Sequence, residues 1–187
     1  YFDSGYSIKS MLRTLFLSDY FKSDAARFAR VKSPVELVAG ILRVTQEFQK
    51  PKREIWDASV AIDYMGQELL NPPSVEGWHE GSEWIDSGAM VERVNFGAAR
   101  LGNAEHPGVR AIIDRLRTAN GGVLDPDRTV EECLDILGPV PASTDTRESL
   151  VAHVAKKGPV DLSDGTAQRR VAEVFSLIAS TREFQLA

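Results

Sequence analysis

The residues best suited to chemistry lie between Asn71 and Asp86, in the run Asn71-Pro72-Pro73-Ser74-Val75-Glu76-Gly77-Trp78-His79-Glu80-Gly81-Ser82-Glu83-Trp84. Two indoles around a histidine and two carboxylates have the makings of an aromatic wall for a sugar or a peptide, with Glu80, Glu83 or Asp86 on hand as an acid. No spacing pairs two carboxylates for acid–base work, and Asp57 and Asp63 upstream add no such pair. The same residues also have a structural use. Two prolines and two glycines forbid a regular helix here, and an irregular loop between helices needs anchors. The sequence therefore predicts that Trp78 and Trp84 chiefly plug the gap between two helices. Trp78, His79, Glu80, Glu83 and Trp84 stand as the candidate loop for a ligand or partner.

Other chemistry is sparse. His79, His106 and His153 form no His-x-x-x-His pair, so helical zinc ligation has no support, and His79 with Glu80 and Glu83 would need further ligands from elsewhere. Cys133, the one cysteine, excludes an internal disulfide, and its place on an apolar helical stripe reads as a buried thiol. Asp125-Pro126-Asp127-Arg128-Thr129 opens like a calcium loop, but Val130 stands where glycine is needed and Ile136 where the bidentate glutamate belongs. Asp161-Leu162-Ser163-Asp164-Gly165 is equally ambiguous. Both read more simply as turns. Nucleophile-elbow, phosphate-loop and dinucleotide motifs are missing. No metal and no cofactor is expected, and the residue content favours a non-catalytic protein.

The elements that would position these residues are helical. Ile8, Met11, Leu12, Leu15 and Phe16 recur at helical spacing behind Ser7 as N-cap. Phe21 to Val31 reads as a short second helix or turn. Ser33, Pro34 and Glu36 compose a capping box ahead of Val35, Val38, Ile41 and Leu42. Ile55, Trp56, Val60, Ile62 and Tyr64 suggest a helix over about 53–70. Periodicity resumes near Ser87 with Met90, Val91, Val94 and Ala98, and stops at Gly102. Val109, Ile112, Ile113 and Leu116 form the next stripe. Thr129 with Glu132, and Asp145 with Glu148, suggest caps for two more helices, carrying Val130, Cys133, Leu134 and Leu137, and then Leu150, Val151 and Val154. Ala167, Val171, Val174, Phe175 and Ile178 mark the last helix, with a turn over Thr181–Leu186. Val123-Leu124 and Val160-Asp161-Leu162 are too short to be assigned as strands. The expected fold is all-α, an irregular multi-helix bundle with the Pro/Gly/Trp-rich loop between helices. A soft boundary at Gly102–Pro107 divides it into helical subdomains 1–102 and 103–187, or is a loop within one domain of 187 residues.

Composition agrees with a globular chain: 43% of residues are apolar and 26% charged. The net charge is −5, and no quarter of the chain is strongly basic, which argues against nucleic acid. No apolar run approaches the roughly 18 residues of a transmembrane helix. The chain opens at Tyr1 rather than at a methionine and reads as a piece of a longer or processed protein.

Four stretches share a resemblance: Lys32-Ser33-Pro34-Val35-Glu36 followed by Arg43; Met65-Gly66-Gln67-Glu68-Leu69-Leu70-Asn71-Pro72-Pro73-Ser74-Val75-Glu76-Gly77-Trp78; Trp84-Ile85 leading to Arg93; and Ser180-Thr181-Arg182-Glu183-Phe184-Gln185. Together they resemble the C-terminal part of the bacterial "domain of unknown function 1800" proteins. Leu70 departs from the phenylalanine common at its position, and Thr181-Arg182 from a usual Ser-Pro. The resemblance implies a mostly helical, often exported protein with no established activity, often encoded beside sulfatase-like proteins. It supplies no catalytic residues. Two functions follow as expectations: a non-catalytic interaction or scaffold domain of an exported bacterial protein, with a sulfatase-like neighbour as a candidate protein partner, or a carbohydrate- or ester-directed hydrolase or binding domain using the Trp78–Trp84 loop.

Overall fold

Helix starts follow the caps written into the chain. In the computed structural model, which describes residues 1–138 and 140–187, eight α-helices run in order: α1 (Ile8–Leu17), α2 (Pro34–Thr45), α3 (Ile55–Tyr64), α4 (Ser87–Leu101), α5 (Pro107–Asn120), α6 (Pro126–Ile136), α7 (Thr144–Ala155) and α8 (Ala167–Ala179). The fold is mainly all-α. Ser33 caps α2 by accepting from the Glu36 amide at 3.3 Å, while the Glu36 carboxylate accepts from the Ser33 amide at 2.8 Å, so the capping box closes from both sides. Ser7 accepts from the Ser10 amide at the start of α1.

Several boundaries differ from the sequence reading. The cap of α6 is Asp125, accepting from the Arg128 amide at 2.8 Å with Pro126 in the first turn. Thr129 lies inside the helix, its hydroxyl donating back to the Asp125 carbonyl. Likewise α7 starts from Ser143, which accepts from the Thr146 amide, and not from an Asp145 box. In both cases a good cap further upstream, by four residues at Asp125 and by two at Ser143, satisfies the open amides first. Helix α3 stops at Tyr64, because Gly66 takes a φ of 93° and the chain turns at Met65. Between Phe21 and Val31 only a 3-10 turn forms, at Asp24–Ala26.

Two segments too short to be read as strands do pair. β1 (Val123–Leu124) and β2 (Val160–Asp161) lie antiparallel, Val123 opposite Asp161 and Leu124 opposite Val160. Each supplies one core residue, Leu124 and Val160.

Helices α4 and α8 organise the packing. α4 rests on α2, α3 and α8, and α8 in turn on α4, α5, α6 and α7. Close approach is permitted by small residues: a Cβ on Gly97 would sit 3.1 Å from the Ala179 Cβ. The start of α5 presses harder on α2, where a Cβ on Gly108 would fall 1.9 Å from the Val44 carbonyl oxygen. The buried apolar cluster runs from Leu37 to Phe184 and draws on α2 through α8. Helix α1 is the exception, since it buries none of its side chains.

Candidate functional site

The stretches that carry the family resemblance converge at the N-terminus of α2. Arg93 on α4 is completely buried; its Nε donates to the Gln185 Oε1 at 3.0 Å and its Nη2 to the Lys32 carbonyl at 2.7 Å. Gln185 Nε2 donates in turn to the Ala179 carbonyl at the end of α8. The Lys32 ammonium donates to the Phe184 carbonyl at 2.6 Å and stands 4.5 Å from the Phe184 ring centroid. Gln67 Oε1 accepts from the Val35 amide at 3.0 Å. Backbone bonds between 30–32 and 185–187 complete the clasp. Four of the buried polar residues, Ser33, Gln67, Arg93 and Gln185, belong to it.

Its electrostatics are unusual. The Arg93 guanidinium is met by carbonyl and amide oxygens rather than by a carboxylate, and burial pulls it down to about 10. Its Nη1 is buried without a partner. Burial, and then the nearby Arg93 charge, lower Lys32. At the rim, Arg30 grips Glu36 through two bonds of 2.9 and 2.6 Å and brings that carboxyl down to about 2. The sequence singled these residues out only as a pattern. Their roles arise from contacts between positions as far apart as 32 and 185, which no local spacing encodes.

The Pro/Gly/Trp loop divides its aromatic residues. Trp84 is 7% exposed, in a 3-10 turn (Gly81–Trp84) against Gly66, and its Nε1 is buried without a partner. Trp78 is half-buried and its indole N–H donates to the Glu68 carbonyl at 2.9 Å. His79 and Glu83 are exposed and joined, Nδ1 to Oε2, at 2.7 Å. Glu80 is exposed ahead of the 3-10 turn, and Asp86 is spent as the cap of α4, accepting from the Gly88 and Ala89 amides. Two large apolar side chains around this loop, Leu70 and Val75, are fully exposed, and the sequence reading had not singled them out as contact residues.

A cleft of about 1170 Å³ opens elsewhere on the molecule, between the Asp24–Ala26 turn, the end of α6, the start of α7 and the C-terminal segment. Leu134, Val140, Leu150 and Leu177 make its apolar wall, and Asp135, Asp145, Arg147 and Arg182 its charged lip. Burial works to raise the Glu183 carboxyl there, yet hydrogen bonds from the Ser143 amide and the Thr146 hydroxyl hold it below its ordinary value. These residues come from separated segments, so no motif announces the cleft.

The remaining candidates are structural. Cys133 is fully buried and burial drives its thiol upward, so the nucleophilic thiolate is disfavoured. His153 meets Glu173 at 2.8 Å, and Lys157 shares that carboxylate. Asp161 and Asp164, in the second calcium-like turn, accept from Ser163 and Thr166. Among the described residues no three of His, Cys, Asp and Glu gather as a metal cage, and no helix is long and apolar enough to cross a membrane.

Compared with known proteins, the chain matches no curated protein and no solved structure. The model of one family, described as a protein of unknown function (DUF1800), matches residues 1–186, a span that includes the loop and every clasp residue but Ala187. The chain belongs to the DUF1800 family.

Proposed function

We propose that this chain is a non-catalytic helical interaction module of an exported bacterial protein, and that the loop from Leu69 to Trp78 is the face it offers to a protein partner. The observation that carries this reading is the exposure of Leu70 and Val75 on a braced loop. Glu68 holds the base, its carbonyl accepting from the Trp78 indole N–H and its carboxylate from the Asn71 side-chain Nδ2 at 2.6 Å. Leu70 keeps a φ of 66°, a left-handed backbone that a branched side chain adopts only at a cost of order 1–3 kcal/mol. Trp56 and Tyr64 on α3 add further exposed aromatic surface. Apolar side chains on a preorganised loop lose little freedom when a partner covers them.

A photo-cross-linking residue at Val75, introduced into the protein in its native cell envelope, tests this directly. A discrete adduct that disappears on Leu70→Asp is expected, and the sulfatase-like neighbour implied by the family resemblance is the first partner to look for in it. Labelling no stronger than from exposed Lys156 would overturn the reading.

The two halves are proposed to fold as one unit rather than as subdomains divided at Gly102–Pro107. In support, α8 contacts α4 of the first half as well as α5, α6 and α7 of the second.

A second reading, a carbohydrate- or ester-directed site, draws on the exposed His79–Glu83 pair that follows the partly buried Trp78 in the chain. A histidine oriented by a carboxylate is half of a hydrolytic arrangement. Ester hydrolysis lost in His79→Ala would establish it, and a rate equal to buffer would exclude it.

A further inference from the structure

We propose that the outer face of α3 and the loop that follows it dock a basic protein surface, one with arginine or lysine side chains around an apolar pocket. The proposal rests on the interaction reading above and names the chemistry of the partner. On α3, Trp56, Asp57, Asp63 and Tyr64 fall at i, i+1, i+7 and i+8, on one side of the helix, while Ala58, Ala61 and Ile62 are buried on the other. Trp56 and Tyr64 are 71% and 72% exposed. Six residues beyond Tyr64, the loop begins to carry Leu70 and Val75 into solvent, with Pro72 and Pro73 exposed between them. The prolines fix their own φ, so this segment gives up little freedom on docking.

Charge selects the occupant. Residues 54–92 hold nine aspartates and glutamates and no lysine or arginine, whereas the other 148 residues carry a net +4. Eight of the nine are exposed, and among the described residues the one ion pair that any of them makes is Glu83 with His79. Glu68 and Asp86 are used on Asn71 and on the start of α4. Asp57, Asp63, Glu76 and Glu80 are left to solvent. A face of one sign attracts a partner of the other and speeds its encounter. Arginine suits this face further, because a guanidinium stacked on Trp56 or Tyr64 finds a carboxylate on the same side of α3 to donate to. Pairing with the same face of a second copy would instead set carboxylate against carboxylate.

The test is fluorescence anisotropy of three labelled peptides with the 187-residue chain: leucine alternating with lysine, leucine with glutamate, and serine with lysine. The leucine–lysine peptide should bind, the serine–lysine peptide should bind more weakly, and the leucine–glutamate peptide should not bind. The quadruple variant Asp57→Asn, Asp63→Asn, Glu76→Gln, Glu80→Gln should weaken the first at least about tenfold at low salt, since four exposed charge pairs are lost, with circular dichroism unchanged. Neutralising four exposed carboxylates elsewhere, Asp127, Asp135, Asp145 and Glu148, should leave binding as it is. Equal losses in the two variants would overturn the proposal, as would equal binding of any two peptides or no binding of the leucine–lysine peptide. A Val75 adduct that still forms in the cell envelope would in those cases leave the interaction reading standing, so the two readings fail separately.

Discussion

Glu36 is a single side chain with three duties: it closes the capping box of α2, pairs with Arg30 and bears a carboxyl held near 2. A folded value below the unfolded one means that this group stabilises the protein above the unfolded value of about 4.5, and that the contribution is lost as pH falls from there toward about 2. The thermal midpoint should therefore drop through that window, and Glu36→Gln should flatten the drop; a pH series of melting curves for both proteins checks it. Across the box, Ser33→Ala should cost about 0.5–2 kcal/mol in chemical denaturation, since the open amide of Glu36 loses its acceptor. Trp84 works differently, through burial, and Trp84→Ala should cost about 3–5 kcal/mol. Trp78→Ala should cost less, because Trp78 is only partly buried while Trp84 is buried. Acrylamide quenching of the remaining indole in each single variant would show the same ranking.

At the scale of elements, stability depends on contacts between pieces that are distant in sequence. The C-terminal segment is held against α4 and the stretch before α2 by Arg93, and two hydrogen bonds to a buried charge are worth about 1.5–3 kcal/mol each. Arg93→Ala should accordingly lower stability by at least about 3 kcal/mol and expose 183–187 to proteolysis or hydrogen exchange. Arg93→Lys should not restore it, since a lysine has no planar fork to reach both Gln185 and the Lys32 carbonyl. The contact between α5 and α2 makes the opposite demand, for absence of atoms. Gly108→Ala would drive a methyl into the backbone of Val44 and Thr45. Because backbone cannot rotate away as a side chain can, a loss at or above the upper end of the usual 1–3 kcal/mol for overpacking is expected in denaturant titration.

For the molecule as a whole, the central question is whether it unfolds in one step. Helix α8 is shared between the helices on either side of Gly102–Pro107, so helix content and tryptophan fluorescence, whose reporters Trp56, Trp78 and Trp84 all lie before Gly102, should give coincident denaturation curves. Separate transitions would divide the chain into subdomains.

Helix number and most helix faces were legible in the residues alone, because a helix is a local object: its hydrogen bonds join positions four apart, and Ser33-Pro34-Val35-Glu36 contains its own start signal. The cap of α6 shows the limit of that reading, where Asp125 and Thr129 both suit the role and only the traced backbone distinguishes them. Strand pairing of 123–124 with 160–161 was not legible, since two residues carry no period and their partner lies more than thirty positions away. The loop was legible only in part: the sequence reading expected Trp78 and Trp84 as anchors, and Trp84 is buried and Trp78 partly so, but nothing in the residues showed that two plain aliphatic side chains, Leu70 and Val75, would stand fully exposed. Apolar periodicity likewise promised α1 a buried face as readily as it did α2, and burial came only to the second. Local sequence sets which residues can be covered together, while which of them are covered depends on what the rest of the chain brings alongside.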